Sequence, residues 1–373
     1  MNVLFLTNIP SPYRVAFFNE LGKYCNLTVL FERAFSSERS TEWKNYQFYN
    51  FQGIVMNGIA VGTDKALCPD VIKYLTQYHT SGPIVVADTF SPTGMLAIFF
   101  LKLLHRPYYL EADGAFCPDD NPVKKAIKTF FIRRAFGYFS TSKALDEYFL
   151  YYGAQKDKII RYPFSSVHKN DIVQNTISED EKEKIKESLS VREQYIVLYV
   201  GQFIYRKGVD LLLQAWTQIE DTDTALVLIG GKLTQEYKSI ILKNNLQHVY
   251  ASDFKDTNAL ADYFRIADVF VLPTREDIWG LVVNEALSFG VPTITTKRCV
   301  AGLELIENGK NGFLYDAADV NELAIRIRQI LKDGVVRHRM SKHALDTASK
   351  YTIEKMAEKH MEIFLTNSGD WKG

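Results

Sequence analysis

Residues 273–286, PTREDIWGLVVNEA, constrain this chain more than any other stretch. An acidic pair (Glu276, Asp277), a glycine (Gly280) and a further acid (Glu285) follow a short apolar run in the order strand, loop, helix. A strand feeding a helix through a short loop is the building unit of parallel sheets covered by helices. An α-helix rises about 1.5 Å per residue, which sets Glu285 roughly 7 to 8 Å along the axis from Gly280. The first turn of such a helix offers free backbone N–H groups and the positive end of the helix dipole, and both favour an anion. A carboxylate one turn further along can accept hydrogen bonds from two vicinal hydroxyls.

The matching half lies upstream, in VLYVGQFIYRKGVDLLLQAW. Residues 196–200 read as a buried strand, Gly201 allows the turn, Arg206 and Lys207 carry adjacent cations, and Asp210 is placed to cap an amphipathic helix over 211–216. Two cations on a strand-to-helix loop suit a pyrophosphate, so the two segments together describe a nucleotide-sugar site, with the diphosphate at the helix start and the ribose beside Glu285. Either segment alone has a plainer reading, because basic pairs on loops and acids on helices commonly just meet water.

Gly201, Lys207-Gly208, PTREDIWGLVVNEA and then AGLELIENGKNGFLY (residues 301–315), in that order, resemble the donor half of retaining GT-B glycosyltransferases. The similarity is specifically to glycosyltransferase family four, the glycosyl transferases group 1. It extends to the opening strand and its loop, and so covers nearly the whole chain. In the family's E-x7-E motif the second acid matches Glu285, whereas the first position is Asp277, with Glu276 alongside. The cation often found just after the first glycine is here Gln202, which leaves Arg206 and Lys207 for the phosphates.

The resemblance implies an α/β fold of GT-B type, two Rossmann-like domains facing a central cleft. It implies transfer of a hexose or N-acetylhexosamine from a nucleotide-sugar, with UDP favoured, to a glycan, a glycolipid or another acceptor. The place of such an enzyme would be bacterial surface polysaccharide or glycoconjugate synthesis. In the implied front-face route the β-phosphate oxygen takes the acceptor proton, so no protein nucleophile, cofactor or metal is needed, and the protein positions groups and stabilises the leaving phosphate. Arg206 and Lys207 would neutralise that phosphate. Gly280 and Leu281 would donate backbone N–H groups, and Glu285 would hold the ribose. Asp277, with Glu276, would hold hydroxyls of the transferred sugar, and Gly201 and Trp279 complete the donor contacts. The base would be read around residues 251–254. Two other readings stay open: another GT-B enzyme such as a nucleotide-sugar epimerase, and an inactive GT-B partner subunit, motivated by Gln202 and Asp277.

A chain of 373 residues exceeds the size at which one core keeps growing, so two domains are expected. Residues 3–7, 27–31, 84–87, 108–111 and 138–141 read as strands of the first, and 196–200, 225–229, 269–272 and 293–295 as strands of the second. The expected division is an acceptor-side domain over 1–168, a linker with an exposed helix over 169–194, and a nucleotide-sugar domain over 195–352. By resemblance a final helix, 353–373, packs back on the first domain. The 44 basic and 44 acidic residues cancel, which argues against a general nucleic-acid binder. Four cysteines without a C-x-x-C pair indicate neither a disulfide framework nor a zinc site, and fit a reducing cytosol. The start, MNVLFLTN, reads as a first strand, and no apolar run is long enough to span a bilayer.

In the first domain the loop NIPSPYR, residues 8–14, brings Tyr13 and Arg14 to the carboxyl end of its strand, where the resemblance places the acceptor side. The loop ADGAFCPDD carries Asp113 where many relatives have a histidine that contacts the donor sugar. Asp221-Thr222-Asp223 has the D-x-D form of metal-dependent transferases, but it precedes a strand and reads as a turn. Residues 121–143 carry Lys124, Lys125, Lys128, Arg133, Arg134 and Lys143 and no acid, interleaved with apolar residues. A basic amphipathic helix of this kind can lie on an anionic membrane at the inner face of the plasma membrane. The alternative is a core-facing helix whose charges meet water.

Overall fold

The structure, a computed structural model, describes residues 1–35, 46–77, 82–175, 177–219, 222–367 and 369. The chain divides into two units, Met1–Ser166 with Tyr351–Gly373, and Val167–Lys350.

The first unit begins with β1 (Asn2–Thr7), α1 (Pro12–Leu21), β2 (Asn26–Phe31) and β3 (Gln52–Val55), followed by the hairpin β4 (Ile59–Val61) and β5 (Lys65–Leu67). It continues through α2 (Val71–Gln77), β6 (Ile84–Val86), α3 (Pro92–Leu103), β7 (Tyr109–Glu111), α4 (Pro122–Ile132), β8 (Gly137–Ser140), α5 (Lys143–Tyr151) and β9 (Ile159–Arg161). Seven strands form one parallel sheet in the order β3-β2-β1-β6-β7-β8-β9. Alternate side chains point to opposite faces of a strand. Thus Leu4 and Leu6 join Leu30, Val86 and Leu110 in one apolar layer, while Phe5 meets Phe17 and Phe18 of α1 edge-on.

The second unit comprises α6 (Glu179–Ser188), β10 (Tyr195–Val200), α7 (Val209–Trp216), β11 (Thr224–Ile229), α8 (Gln235–Lys243), β12 (Val249–Ser252) and α9 (Thr257–Ile266). Then come β13 (Val269–Leu272), α10 (Leu281–Ser288), β14 (Thr293–Thr296), α11 (Val300–Leu305), β15 (Gly312–Tyr315), α12 (Val320–Lys332) and α13 (Gly334–Ala348). Its six-stranded parallel sheet has the order β12-β11-β10-β13-β14-β15, and β10 to β14 are buried along most of their length apart from the edge strand β12. Counted from β10, this is the order 3-2-1-4-5-6 of a doubly wound nucleotide-binding sheet. The stretch 169–194, read as a linker, folds into this unit. Lys182 of α6 reaches Asp268 at 2.9 Å, and the same carboxylate accepts the backbone N–H of Ile196 at 2.9 Å. The partners of these charges lie far off in sequence, which is why the segment looks like solvated linker.

A last helix, α14 (Ile353–Thr366), belongs to the first unit and lies along α1. Ile353, Met356, Ala357 and Phe364 are its buried apolar side, and His360 is buried among them.

Candidate functional site

In a doubly wound sheet, ligands bind outside the carboxyl ends of the strands where the strand order reverses. In the second unit that point lies between the neighbours β10 and β13. The loops leaving these two strands are 201–208 and 273–280, the two segments that the sequence singles out. Gly208 has φ +71°, and a Cβ there would lie 2.0 Å from the Pro273 carbonyl oxygen, so a glycine is needed for the loops to touch. They are then laced together: the Arg206 carbonyl accepts the Arg275 N–H at 2.8 Å and the Thr274 hydroxyl at 3.0 Å.

The lacing brings the expected groups to one place. The Lys207 ammonium is ion-paired with the Asp277 carboxylate. Arg206 donates to the Glu276 carbonyl at 2.8 Å and stands 3.7 Å from Asp277. The Glu276 side chain turns outward to Arg298. Asp277 is itself fixed through its backbone, donating to the Arg298 carbonyl at 2.8 Å and accepting from Val300 at 3.1 Å. Gly280, at φ +101°, starts α10, and a Cβ there would meet Cys299 Sγ at 2.8 Å. The first N–H groups of a helix have no acceptor within it, so Leu281 opens α10 with donors available to an anion. Glu285 follows on the same helix and is half-buried. Gly201 donates its N–H to Ile229 across the sheet at 2.9 Å and keeps the first loop on the strand end.

Two sequence expectations change here. Trp279 is only 2% exposed and gives its indole N–H to Asn284 at 2.8 Å, so it braces the start of α10 instead of presenting its ring to a ligand. Asp210 is not the cap of α7. Gly208 takes that position, and Asp210 accepts both amino groups of Arg275 at 2.8 and 2.6 Å. Of the segment 251–254, Ala251 and Ser252 end β12, and Phe254 beyond them is exposed. In the D-x-D triplet, Asp223 stands just before β11, and Asp221 lies outside the described residues.

The first unit gathers a second group at the carboxyl edge of its sheet. The Tyr13 hydroxyl donates to Asp113 at 2.6 Å. Arg14 is ion-paired through one amino group with Glu111 and through the other with Asp113. Burial, then the Asp113 charge, raise the Tyr13 phenol above its ordinary range. Arg14 is itself buried, so it stands behind the surface that the sequence assigned to it, and Tyr13 and Asp113 are the half-exposed members. Glu111 and His360 are additional members of this group that sequence reasoning did not reach. Their contact spans 249 positions, and neither residue stands in a motif.

The run 121–143 is not one helix. α4 ends at Ile132, and the chain then turns into the buried strand β8. Within α4, Val123, Ile127 and Phe130 share one face and are 70%, 52% and 50% exposed. That face points to solvent, while Phe131 and Ile132 at the end of the helix pack toward the core. Lys124 and Lys128 pair with Asp120 at 2.8 and 2.9 Å. Among the described residues, no helix is long and apolar enough to cross a membrane.

Two Rossmann-like units with these loops define the GT-B class of α/β fold. The family described as glycosyl transferases group 1 matches residues 180–347, nearly the whole second unit. The chain is 32% identical over 160 residues to an uncharacterized glycosyltransferase of Methanocaldococcus jannaschii, covering 42% of this chain and 44% of that protein. It is 21% identical over 323 residues to N,N'-diacetylbacillosaminyl-diphospho-undecaprenol alpha-1,3-N-acetylgalactosaminyltransferase of Campylobacter jejuni, covering 85% of this chain and 84% of that protein. Against curated relatives such as the first, this chain spans about half of the relative's length. The Anabaena protein HepE, solved in complex with UDP, superposes with a TM-score of 0.81 at 19% identity, covering 98% of this chain and all of that one. At that identity the likeness establishes the fold.

Proposed function

We propose that this protein is a retaining, metal-independent glycosyltransferase of family four that moves a hexose or N-acetylhexosamine from a UDP-sugar. The observation that carries the reading is the meeting of Lys207 with Asp277 at the point where the second sheet reverses its strand order, beside the start of α10. A diphosphate at that helix start would draw Lys207 and Arg206 onto its oxygens, and Asp277 and Glu276 would be released toward the hydroxyls of the sugar. Glu285 would take the ribose. The two cations then supply the charge that a bound metal supplies in other transferases. Support for UDP comes from the HepE complexes with UDP and with UDP-glucose.

The acceptor reading places a glycan or lipid-linked sugar against Tyr13, while its partner Asp113 would meet the donor sugar. A lipid-linked acceptor is favoured by the name of the Campylobacter relative, which acts on an undecaprenol diphosphate sugar. It is favoured also by the outward apolar face of α4 with its lysines, which suits a peripheral contact with anionic lipid and a bacterial surface-glycan role.

The experiment is proton NMR of UDP-sugars incubated with the purified protein and no acceptor, with and without EDTA. Slow hydrolysis that first releases the donor's own anomer, unchanged by EDTA, supports the reading. Release of the inverted anomer contradicts retention. Loss of activity on chelation, restored by manganese, contradicts metal independence.

A further inference from the structure

The helix that returns to the first unit inserts a buried histidine where an apolar residue would pack. His360 stacks on Phe139, with ring centroids 4.3 Å apart and planes 16° apart. Phe5, Phe17, Tyr162 and Phe364 complete the aromatic surround. A leucine could fill this pocket without the desolvation that ionic groups incur, so packing alone does not account for the imidazole.

Both ring nitrogens face acceptors. Nδ1 lies 2.7 Å from the Met356 carbonyl oxygen, and Nε2 lies 3.0 Å from Oε2 of Glu111. Burial alone would raise the Glu111 carboxyl, but the Arg14 guanidinium and His360 outweigh it and hold it down at about 2, so it is ionised at neutral pH. A carbonyl and a carboxylate have no proton to donate, so each of the two contacts is a hydrogen bond only when the ring supplies the proton. The other oxygen of Glu111 meets Nη1 of Arg14, while Nη2 of the same guanidinium meets Asp113, which accepts the Tyr13 hydroxyl. A guanidinium is planar and rigid. The plane that Glu111 imposes through Nη1 therefore decides where Nη2, and with it Asp113, can sit.

We propose that His360 is a positioning residue: through Glu111 and Arg14 it sets the geometry of the Tyr13–Asp113 pair at the carboxyl edge of the first sheet. The returning helix then shapes the surface assigned to the acceptor from behind, through buried groups, beyond its packing role. The relay can be tested without that assignment, and only its functional consequence rests on the acceptor reading.

The test is fluorine NMR of the full chain carrying 3-fluorotyrosine at position 13, in four forms: otherwise unaltered, His360→Leu, His360→Gln and Ile353→Ala. The expected result is that His360→Leu shifts or splits the resonance. His360→Gln, whose amide can still donate to Glu111, should restore most of its position. Ile353→Ala removes a buried contact from the same helix and should lower Tm without moving the resonance. A resonance unmoved by His360→Leu, or moved equally by Ile353→Ala, overturns the proposal. If His360→Leu does not fold, nitrogen NMR of the histidine-labelled wild-type chain decides. A proton on Nε2, the nitrogen that faces Glu111, is expected, and a bare Nε2 overturns the relay. The acceptor reading fails by a different result, namely full transfer activity in Tyr13→Phe.

Discussion

The ammonium of Lys207 rests on the carboxylate of Asp277, and this ion pair is among the contacts that join the loop after β10 to the loop after β13. Both side chains are largely withdrawn from water, so their mutual attraction is less screened than at an open surface. In the proposed reaction the pair would open as a diphosphate arrives. Lys207→Ala and Glu285→Ala are each expected to lower transfer by about a hundred- to a thousandfold, the scale of one lost charge-assisted contact in a transition state, about 3 to 4 kcal/mol. Lys207→Ala also removes a main partner of a nearly buried acid, and should therefore lower Tm by several degrees. Normal turnover by either purified variant contradicts the assignment.

Gly208 and Gly309 separate backbone strain from loop contact. Both have positive φ, at +71° and +77°, but a Cβ on Gly208 would collide with Pro273 whereas one on Gly309 would meet open space. Gly309→Ala should cost on the order of 1 kcal/mol, from backbone strain alone. Gly208→Ala should cost on the order of 3 kcal/mol or more and abolish transfer. Urea midpoints of the two variants check this, and equal losses would show that the loops do not depend on close approach.

Glu32 predicts a pH dependence of stability. Burial pushes its carboxyl up to about 7 despite hydrogen bonds from Ser91 and from the Ala66 N–H. Its unfolded value is about 4.3. A raised acid favours the folded state while protonated, so this contribution is whole below about pH 4 and is lost as pH rises through about 7. Glu32→Gln should therefore gain stability relative to the wild-type chain between pH 5 and pH 8, by up to about 3 kcal/mol. A difference that stays flat across that range would show that the carboxyl is not perturbed.

The outward face of α4 is expected to bring the protein down with anionic vesicles at low salt and to release it at high salt. The double variant Val123→Asp, Ile127→Asp should stay in the supernatant. Failure of the wild-type chain to sediment at low salt would leave a soluble or protein acceptor.

The parts of this structure legible in the sequence are those whose cause is local. The apolar run 196–200 followed by Gly201 fixes where the first loop begins, and the glycine of 273–286 fixes where α10 starts. Lys207 and Asp277 each stand out in their own segment, but their pairing across 70 positions depends on β10 lying beside β13. Trp279 looks like a ligand contact in the sequence because nothing local shows that Asn284 takes its N–H. Glu111 and His360, which meet across 249 positions, have no local signature at all. The pattern of α4 does not decide which way its apolar residues face, since periodicity marks an apolar stripe without saying which side the core occupies.

The most direct test of the donor site is a calorimetric titration of UDP into the wild-type chain and into Glu285→Ala. We expect saturable one-site binding to the wild-type chain and at least a tenfold weaker constant for the variant. A Tm rise should accompany binding, since a ligand at 100 times its Kd stabilises the fold by about 2.7 kcal/mol. No binding of UDP, or equal affinity in the two proteins, would contradict a UDP site built on the start of α10.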